Sequence, residues 1–309
     1  MSTKEIGSEF WDIPICEEKN HLFPEGTKWF LAGRTALKYI VQDAEITTVS
    51  MPCWCCESMV VPFKEAGISV SFYKERPDTN SDAIFVLDYF GYTGHSSVPK
   101  GYRGIVIRDM THSIFSATYS DADYYFGSLR KWAGFWTGGF AWGNWKKNTP
   151  IAPYDDRYVS LRKAAMEKKK AYIEGLSSSK SYLAIYEEAN RYLEKVGICG
   201  AHPADIEAAE HFDWQLVKKI RRENAKTLLS KVDGMFPLEE NDCPLFVPVL
   251  VENRDKLRQY LIDNKIYCPV HWPRWDLKGQ ELSLVCDQRY DTDDMHNTLQ
   301  VLHAFKKTE

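Results

Sequence analysis

The sequence predicts an α/β fold, in which a large domain with a mostly parallel sheet between helices is followed by a smaller α+β domain. Apolar runs of strand length alternate with helical patterns in the first half of the chain, which is typical of a parallel sheet buried on both faces. After Pro153 the pattern changes to long helical stretches and then to a β-α-β-β-α order. A chain of 309 residues suits two domains, which we place at residues 1–200 and 201–309.

The apolar runs with strand character in the large domain are Ile46–Met51, Ile68–Tyr73, Ala83–Asp88, Gly104–Asp109, Tyr124–Phe126 and Gly139–Trp142. Helical patterns precede and follow the first of these strands, at Thr35–Gln42 and Trp54–Ala66. A long helical stretch then runs from Asp155 to Val196, with a break predicted at Ser177–Ser179. The smaller domain is predicted to contain helices at Asp213–Val232, Asp255–Asn264 and Asp293–Phe305, and strands at Leu245–Val251, Ile266–Val270 and Leu282–Cys286.

Composition excludes several classes of protein. Hydrophobic residues make up 44% of the chain and charged residues 27%, which is the balance of an ordinary globular protein. The net charge of −4 gives no basic surface for nucleic acid, and the basic runs Lys168–Lys170 and Lys218–Arg222 fall on helical patterns. No apolar run reaches the length of a membrane span, and the first ten residues lack the apolar core of a signal peptide. We therefore expect a cytoplasmic protein with no nucleic-acid or membrane partner.

The eight cysteines are expected to be reduced thiols, because the chain shows no secretion signal. Three of them form the cluster Cys53-Trp54-Cys55-Cys56. A second pair of ligands at zinc-binding spacing is missing, so no metal site is predicted.

Two polar residues follow apolar strands and can be combined into one site. Asp109 ends one strand, and Lys131 follows the next strand among the aromatic residues Trp132 and Phe135-Trp136. An apolar setting disfavours a charged lysine, and the neutral amine can form a Schiff base with a carbonyl compound. Pyridoxal phosphate (PLP) needs such a lysine for its aldehyde and an acid for its pyridine nitrogen. Taken singly, Asp109 could cap a helix and Lys131 could be a surface lysine.

Two further segments could complete a PLP site. Gly33 and Thr35 open a helix, where backbone amides and a hydroxyl can bind the cofactor's phosphate group. Trp54 follows the strand Ile46–Met51, so its ring could stack on the pyridine ring. A core tryptophan is the alternative for Trp54.

The chain resembles the sugar aminotransferases of the DegT/DnrJ/StrS family, which are PLP-dependent transferases of fold type I. The matching segments occur in the family's order over most of the chain: Gly33-Arg34-Thr35-Ala36-Leu37, Met51-Pro52-Cys53-Trp54-Cys55-Cys56-Glu57-Ser58, Ile107-Arg108-Asp109-Met110-Thr111-His112-Ser113, Gly127-Ser128-Leu129-Arg130-Lys131-Trp132, Gly138-Gly139, Tyr267-Cys268-Pro269-Val270-His271-Trp272-Pro273 and Leu282-Ser283-Leu284-Val285-Cys286-Asp287-Gln288-Arg289-Tyr290.

The resemblance implies a role for each matching position. Lys131 would carry PLP as a Schiff base and transfer protons, Asp109 would pair with the pyridine nitrogen, and His112 would contact the ring oxygen. The phosphate contacts would come from Gly33, Arg34, Thr35 and Ser128, and the stacking ring from Trp54. Substrate contacts are expected from His271, Trp272, Arg289 and Tyr290, of which the arginine suits a carboxylate. The family also implies a homodimer with shared active sites.

The implied reaction is transfer of an amino group from an amino acid, glutamate or glutamine, to a keto group, for example that of a nucleotide-linked sugar. Two positions depart from the family pattern: Phe126 stands where many members have serine, and Trp136-Thr137 precede the glycine pair where a glutamate is common. These departures leave open a PLP-dependent lyase, a transaminase for a substrate other than a sugar, and a PLP-binding homologue without turnover.

Overall fold

The structure is a computed structural model that describes residues 4–116, 120–147, 149–271 and 280–306. Its strands are β1 Ile6–Gly7, β2 Lys28–Phe30, β3 Thr48–Pro52, β4 Ser69–Tyr73, β5 Ala83–Leu87, β6 Ile105–Asp109, β7 Tyr124–Ser128, β8 Gly139–Gly143, β9 Val247–Leu250, β10 Ile266–Tyr267 and β11 Glu281–Leu284. Its helices are α1 Gly33–Ala44, α2 Glu57–Glu65, α3 Asp156–Ile173, α4 Tyr182–Leu193, α5 Pro203–Glu210, α6 Trp214–Leu229, α7 Arg254–Asp263 and α8 Thr292–Lys306. A short 3-10 helix, Leu129–Lys131, follows β7.

Seven strands form one sheet in the order β2-β8-β7-β6-β5-β3-β4. The strands from β4 to β7 pair in parallel, and β8 is antiparallel to both β7 and β2. All five residues of β5 are buried, as expected for a strand covered on both faces. Since β3 lies between β4 and β5, the strand order reverses there, and in such sheets ligands bind beyond the carboxyl ends of the strands. The mostly parallel sheet predicted from the sequence is confirmed.

Helix α1 covers the sheet near β7 and β8 because its apolar residues fall on one face. Ala36, Leu37, Ile40 and Ala44 are all buried in the main core cluster, at the spacing expected of an amphipathic helix. Helix α2 begins at Glu57, three residues later than the pattern from Trp54 predicts. The reason is that residues 53–55 form a bend after β3, with the Cys53 N–H donating to the carbonyl oxygen of Tyr73 at 2.8 Å.

The predicted long helical stretch is two helices, α3 and α4, and the predicted break lies in the connection between them. Three elements were missed by the sequence analysis, namely β1, β2 and α5. Helix α5 had a recognisable signal, since Pro203 occupies its first turn and the His202 ring accepts a hydrogen bond from the Ala204 N–H at 3.1 Å.

The C-terminal part has its own core, in which β9 and β11 pair antiparallel and α6, α7 and α8 contribute buried side chains. Strand β10 is shorter than predicted and pairs in parallel with the N-terminal strand β1. Ile6 therefore belongs to this C-terminal core although it lies near the start of the chain. The division at residue 200 stays a prediction.

Three findings bear on the excluded classes. Within the described ranges, no helix combines the length and the apolar character needed to cross a bilayer. Among the same residues, no three His, Cys, Asp or Glu side chains are grouped so that they could hold a metal ion. All eight cysteines are free thiols.

Candidate active site

Lys131 and Asp109 lie at the carboxyl ends of adjacent parallel strands. Asp109 is the last residue of β6 and pairs in register with Phe126 of β7, and Lys131 ends the 3-10 helix that directly follows β7. The side chain of Lys131 is exposed. Its positive charge affects the pKa of Asp109, of His112 and of His271, in each case less than burial does. The strand ends therefore bring three predicted site residues into electrostatic range of the lysine.

The carboxyl group of Asp109 is buried and only partly stabilised as an anion. It is 4% exposed and accepts a hydrogen bond from the Thr111 N–H at 2.8 Å. Burial raises its pKa to about 6, and the like charge of Asp88 adds to the rise, while Thr111 and Lys131 oppose it. A cation placed against this carboxylate would remove most of the penalty of burying it. A protonated pyridine nitrogen is such a cation.

His112 is held as a neutral ring in one tautomer. The ring is buried, and its Nδ1 accepts a hydrogen bond from the Phe90 N–H at 3.2 Å. Burial lowers the pKa of His112 well below 6.5, and the nearby charges of Lys131 and His271 lower it further. Because Nδ1 is the acceptor, the proton of the neutral ring is on Nε2. His112 can therefore donate one hydrogen bond from Nε2, as a contact to a ring oxygen requires.

The N-terminus of α1 lies directly against the end of β7. A Cβ atom added at Gly33 would come within 3.2 Å of the Gly127 carbonyl oxygen and 3.4 Å of the Ser128 Cβ. Thr35 Oγ1 accepts a hydrogen bond from the Ala32 N–H at 3.2 Å, so its own proton can still be donated. The first turn contains no acidic residue. Helix amides, Thr35 and Ser128 thus converge in a way that suits an anion.

Arg34 adds a positive charge to the same helix terminus. Its Nε atom is buried, and within the described part of the chain it has no hydrogen-bond partner. A buried guanidinium nitrogen without a partner is costly, and an anion at the helix terminus would supply an acceptor close by. The residues present therefore fit a phosphate group, as the sequence predicts.

Trp54 lies at the same edge of the sheet, directly after β3, and is half-buried. Its ring meets that of Tyr89 edge to face, with centroids 6.1 Å apart and planes at 73°. Burial raises the pKa of the neighbouring Cys55 thiol to about 12, and nearby charges that include Asp109 contribute. Cys55 is therefore a neutral thiol, while Trp54 offers an aromatic ring close to the strand ends.

His271, from the C-terminal part, reaches the same site. The centroid of its ring lies 6.1 Å from that of His112, with the ring planes at 82°. Its Nδ1 is 2.9 Å from Ser283 Oγ. His271 thus lies beside His112, and its contact with substrate stays a prediction, whereas Trp272 lies outside the described residues.

Arg289 and Tyr290 contact the N-terminal segment. The Arg289 guanidinium group donates to both carboxylate oxygens of Asp287, at 2.9 and 2.7 Å, and to the carbonyl oxygens of Ser8 and Glu9, both at 3.1 Å. The Tyr290 hydroxyl accepts a hydrogen bond from the Gly7 N–H at 2.8 Å. Both residues therefore anchor the N-terminal segment, and their contact with substrate stays a prediction.

Sequence reasoning missed two acids that support the site. Asp205 of α5 accepts hydrogen bonds from Trp136 N, Thr137 N and Thr137 Oγ1, at 3.2, 2.8 and 2.6 Å, and so fixes the loop that follows Lys131. Glu281 is 2% exposed and contacts both His271 and Ser283. The alternation Glu281-Leu282-Ser283-Leu284 was the available signal, because period two puts Glu281 and Ser283 on one face of the strand.

Comparison with solved structures identifies the fold. Helicobacter pylori PseC, an aminotransferase involved in the biosynthesis of pseudoaminic acid, matches with a TM-score of 0.61 and 15% identity over 97% of this chain and 100% of that chain. Spr1654 of Streptococcus pneumoniae, described as a sugar aminotransferase, matches in its PLP form with a TM-score of 0.59 and 13% identity over 97% of this chain and 91% of that chain. The chain has the fold of the sugar aminotransferases.

A third solved structure agrees with these two. A DegT DnrJ EryC1 StrS aminotransferase from Brucella abortus has a TM-score of 0.59 and 13% identity over 91% of this chain and 86% of that chain. No family model matches the chain, and no curated protein matches it. The fold type predicted from the sequence is confirmed, and the activity has to be argued from the residues of the site.

Proposed function

We propose that the chain is a PLP-dependent aminotransferase in which Lys131 carries the cofactor. The observation that carries the proposal is the pairing of two buried groups beside this lysine. Asp109 is an acid whose buried carboxylate lacks a full counter-charge, and His112 is a neutral ring that can donate from Nε2. A cationic pyridine nitrogen and an anionic ring oxygen on one ligand would satisfy both groups. PLP has both, together with an aldehyde for the lysine.

Each residue of the site has a proposed role in holding PLP. Asp109 would keep the pyridine nitrogen protonated, and His112 would bind the ring oxygen. The α1 terminus with Thr35, Arg34 and Ser128 would bind the phosphate group. The ring of Trp54 would lie against the cofactor. When bound, PLP accepts electrons from the carbon that carries the substrate's amino group, which makes that carbon acidic.

Lys131 would then move the proton that amino transfer requires. Its side chain is exposed, so a substrate could reach Nζ. Nζ would take the proton from the substrate carbon and later give one back, which would be general acid–base catalysis by one amine. Asp109 and His112 hold their charges and tautomers and do not transfer this proton.

We further propose the substrates. The amino donor is an amino acid, glutamate or glutamine, and the acceptor is a keto group of a sugar, for example a nucleotide-linked one. The fold shared with aminotransferases such as CalS13 of Micromonospora echinospora, named a sugar aminotransferase, supports a sugar acceptor. The protein would act in the cytoplasm as a homodimer with shared active sites, with a large PLP-binding domain at residues 1–200 and a smaller one at 201–309.

A second candidate, a PLP-binding homologue with different or no turnover, is favoured by two observations. In place of a loop with a glutamate, Trp136 and Thr137 are tied to the buried carboxylate of Asp205. Phe126, at the position where serine is common, is fully buried in the core. The loop thus binds the carboxylate of Asp205 and carries none of its own, and Phe126 packs where a serine would offer a hydroxyl. Both differences would change the reaction without removing the cofactor site.

The visible absorbance spectrum of the purified protein with PLP, before and after addition of glutamate, tests the proposal. We expect a band of bound cofactor that Lys131→Ala lacks and that Lys168→Ala, an exposed lysine on α3, retains. Glutamate should replace this band by that of the amine form. A band that no amino donor changes would favour the second candidate. No band in the wild-type protein would refute the cofactor assignment.

A further inference from the structure

A chain of hydrogen bonds connects a buried acid of the C-terminal part with the ring of His271. Ser283 Oγ donates to Glu281 Oε1 at 2.5 Å, and Ser283 Oγ lies 2.9 Å from His271 Nδ1. The second carboxylate oxygen of Glu281 accepts from the His271 N–H at 2.7 Å. Glu281 and Ser283 are 2% and 0% exposed, so both are held inside the protein. The carboxylate of Glu281 thus holds the backbone of His271 directly and holds its ring through the hydroxyl of Ser283.

The position of the ring points to the active site. His271 packs edge to face on Phe90, with centroids 5.1 Å apart, and its ring is nearly perpendicular to that of His112. Burial lowers the pKa of His271 below 6.5, although the contact with Glu281 raises it and Lys131 lowers it. The ring is therefore neutral at neutral pH and lies within electrostatic range of Lys131.

The direction of the hydrogen bonds determines the tautomer. Ser283 Oγ donates its single proton to Glu281 Oε1, so this proton is not available to His271. The oxygen of Ser283 is then an acceptor toward His271, and Nδ1 of His271 must carry the ring proton. Nε2 is consequently the basic nitrogen of this ring. His112 has the opposite tautomer, because the Phe90 N–H donates to its Nδ1.

We propose that Glu281 and Ser283 are positioning residues that hold His271 as the Nδ1–H tautomer, so that Nε2 accepts a hydrogen bond from an OH or NH group of the substrate beside Lys131. The identity of this substrate rests on the proposed function, whereas the tautomer does not. The two histidines then have complementary roles. His112 presents a donor and suits the cofactor's oxygen, and His271 presents an acceptor and suits a proton-bearing group next to the reacting carbon.

The tautomer can be measured directly by ¹⁵N NMR of histidine-labelled protein loaded with PLP. We expect the Nδ1–H pattern for His271 in the wild-type protein. Ser283→Ala removes the acceptor and should shift the ring toward the Nε2–H form. Glu281→Gln should do the same, since an amide has one acceptor oxygen for two donors. Thr298→Val is the matched control, because it removes a buried hydroxyl of the C-terminal part whose partner, among the described residues, is the Asp294 carbonyl oxygen.

Kinetics then identify the group that His271 contacts. Ser283→Ala and Glu281→Gln should each lower kcat/KM by about tenfold, the worth of one hydrogen bond, and His271→Phe at least as much. An effect confined to the reaction with the amino acid would identify the ammonium group of the donor. An effect confined to the second half-reaction would identify a hydroxyl group of the acceptor.

Two results would overturn this inference. One is an Nε2–H tautomer of His271 in the wild-type protein. The other is that Ser283→Ala and Glu281→Gln both show the same His271 tautomer and the same kinetics as the control Thr298→Val. Because the NMR measurement needs no turnover, a protein without aminotransferase activity would still reveal whether the hydrogen bonds from Glu281 through Ser283 set the tautomer of His271. A wrong proposed function and a wrong tautomer assignment are therefore separate outcomes.

Discussion

The buried ring of His112 accepts a hydrogen bond at Nδ1 from the backbone N–H of Phe90, at a distance of 3.2 Å. Phe90 follows β5 and has a positive φ of 55°, a backbone conformation that is uncommon for a residue with a side chain. This turn aims the Phe90 amide at the imidazole. The tautomer of a site residue is therefore set by the backbone of a neighbouring strand end.

Replacing His112 with phenylalanine should weaken PLP binding about tenfold. The change keeps a buried ring but removes the Nε2 donor, and one hydrogen bond is worth roughly 1 to 1.5 kcal/mol. Titration with PLP, followed by absorbance, measures the dissociation constant. His95→Phe is the control, since His95 is exposed outside the site. Equal affinities of the two variants would contradict the proposed contact of His112.

The stability of the cofactor-free protein should carry a pH signature of Asp109. Its pKa is raised from 3.8 to about 6 in the folded state, so between these pH values the folded chain binds more protons than the unfolded chain. Asp109 therefore lowers the free energy of unfolding as the pH rises through this window, by about 3 kcal/mol in total. The Asp109→Asn variant does not lose this stability, so its free energy of unfolding relative to the wild type should increase from pH 4 to pH 6.

In the control for this prediction, the relative stability should change with pH in the opposite direction. Asp82 is exposed, and hydrogen bonds from Thr47 and Thr48 lower its pKa, so its carboxylate contributes stability above that pKa. Asp82→Asn should therefore lose stability relative to the wild type as the pH rises. Chemical denaturation of both variants at several pH values measures the two slopes. If the relative stability of both variants changed with pH in the same direction, Asp109 would not be the source of the predicted pH dependence.

Much of this site could be predicted from the sequence, because it depends on strand ends. Asp109, Lys131 and Trp54 each follow an apolar run, and parallel strands bring their carboxyl ends to one edge of the sheet. The connection between His271 and Ser283 could not be predicted in this way. It depends on the strand register of β11 and on the path of residues 266–271, which local periodicity does not specify.

The N-terminal segment illustrates the same limit. Only two residues of β1 pair with β10, and this pairing joins positions about 260 residues apart. A run as short as Ile6–Gly7 has no periodicity to detect. The sequence predicts Arg289 and Tyr290 as substrate contacts because the fork of an arginine suits a carboxylate, and this stays a prediction. In the structure, the carboxylate that Arg289 binds is that of Asp287, two residues away.

Gly33 is expected to be needed for the close approach of α1 to β7. The added Cβ of Gly33→Ala would lie 3.2 Å from the Gly127 carbonyl oxygen, so the helix terminus or the strand end must shift. A displaced phosphate site should weaken PLP binding roughly tenfold, a loss of about 1.4 kcal/mol. Gly197→Ala is a matched control, because in the described part of the chain no atom lies within 4 Å of its added Cβ and its φ lies outside the left-handed range. Unchanged PLP affinity in Gly33→Ala would contradict the proposal that the N-terminus of α1 binds the phosphate group.

Arg289 provides the prediction that separates anchoring from substrate binding. Its guanidinium group connects Asp287 with the carbonyl oxygens of Ser8 and Glu9, and its side chain is 12% exposed. Arg289→Met leaves the buried carboxylate of Asp287 without its cation, so we expect a loss of about 3 to 5 kcal/mol in the free energy of unfolding. Hydrogen exchange at residues 8 and 9 should become faster. An increase in KM for the amino donor without loss of stability would instead assign Arg289 to the substrate carboxylate, because a residue that binds only substrate does not hold the N-terminal segment in place.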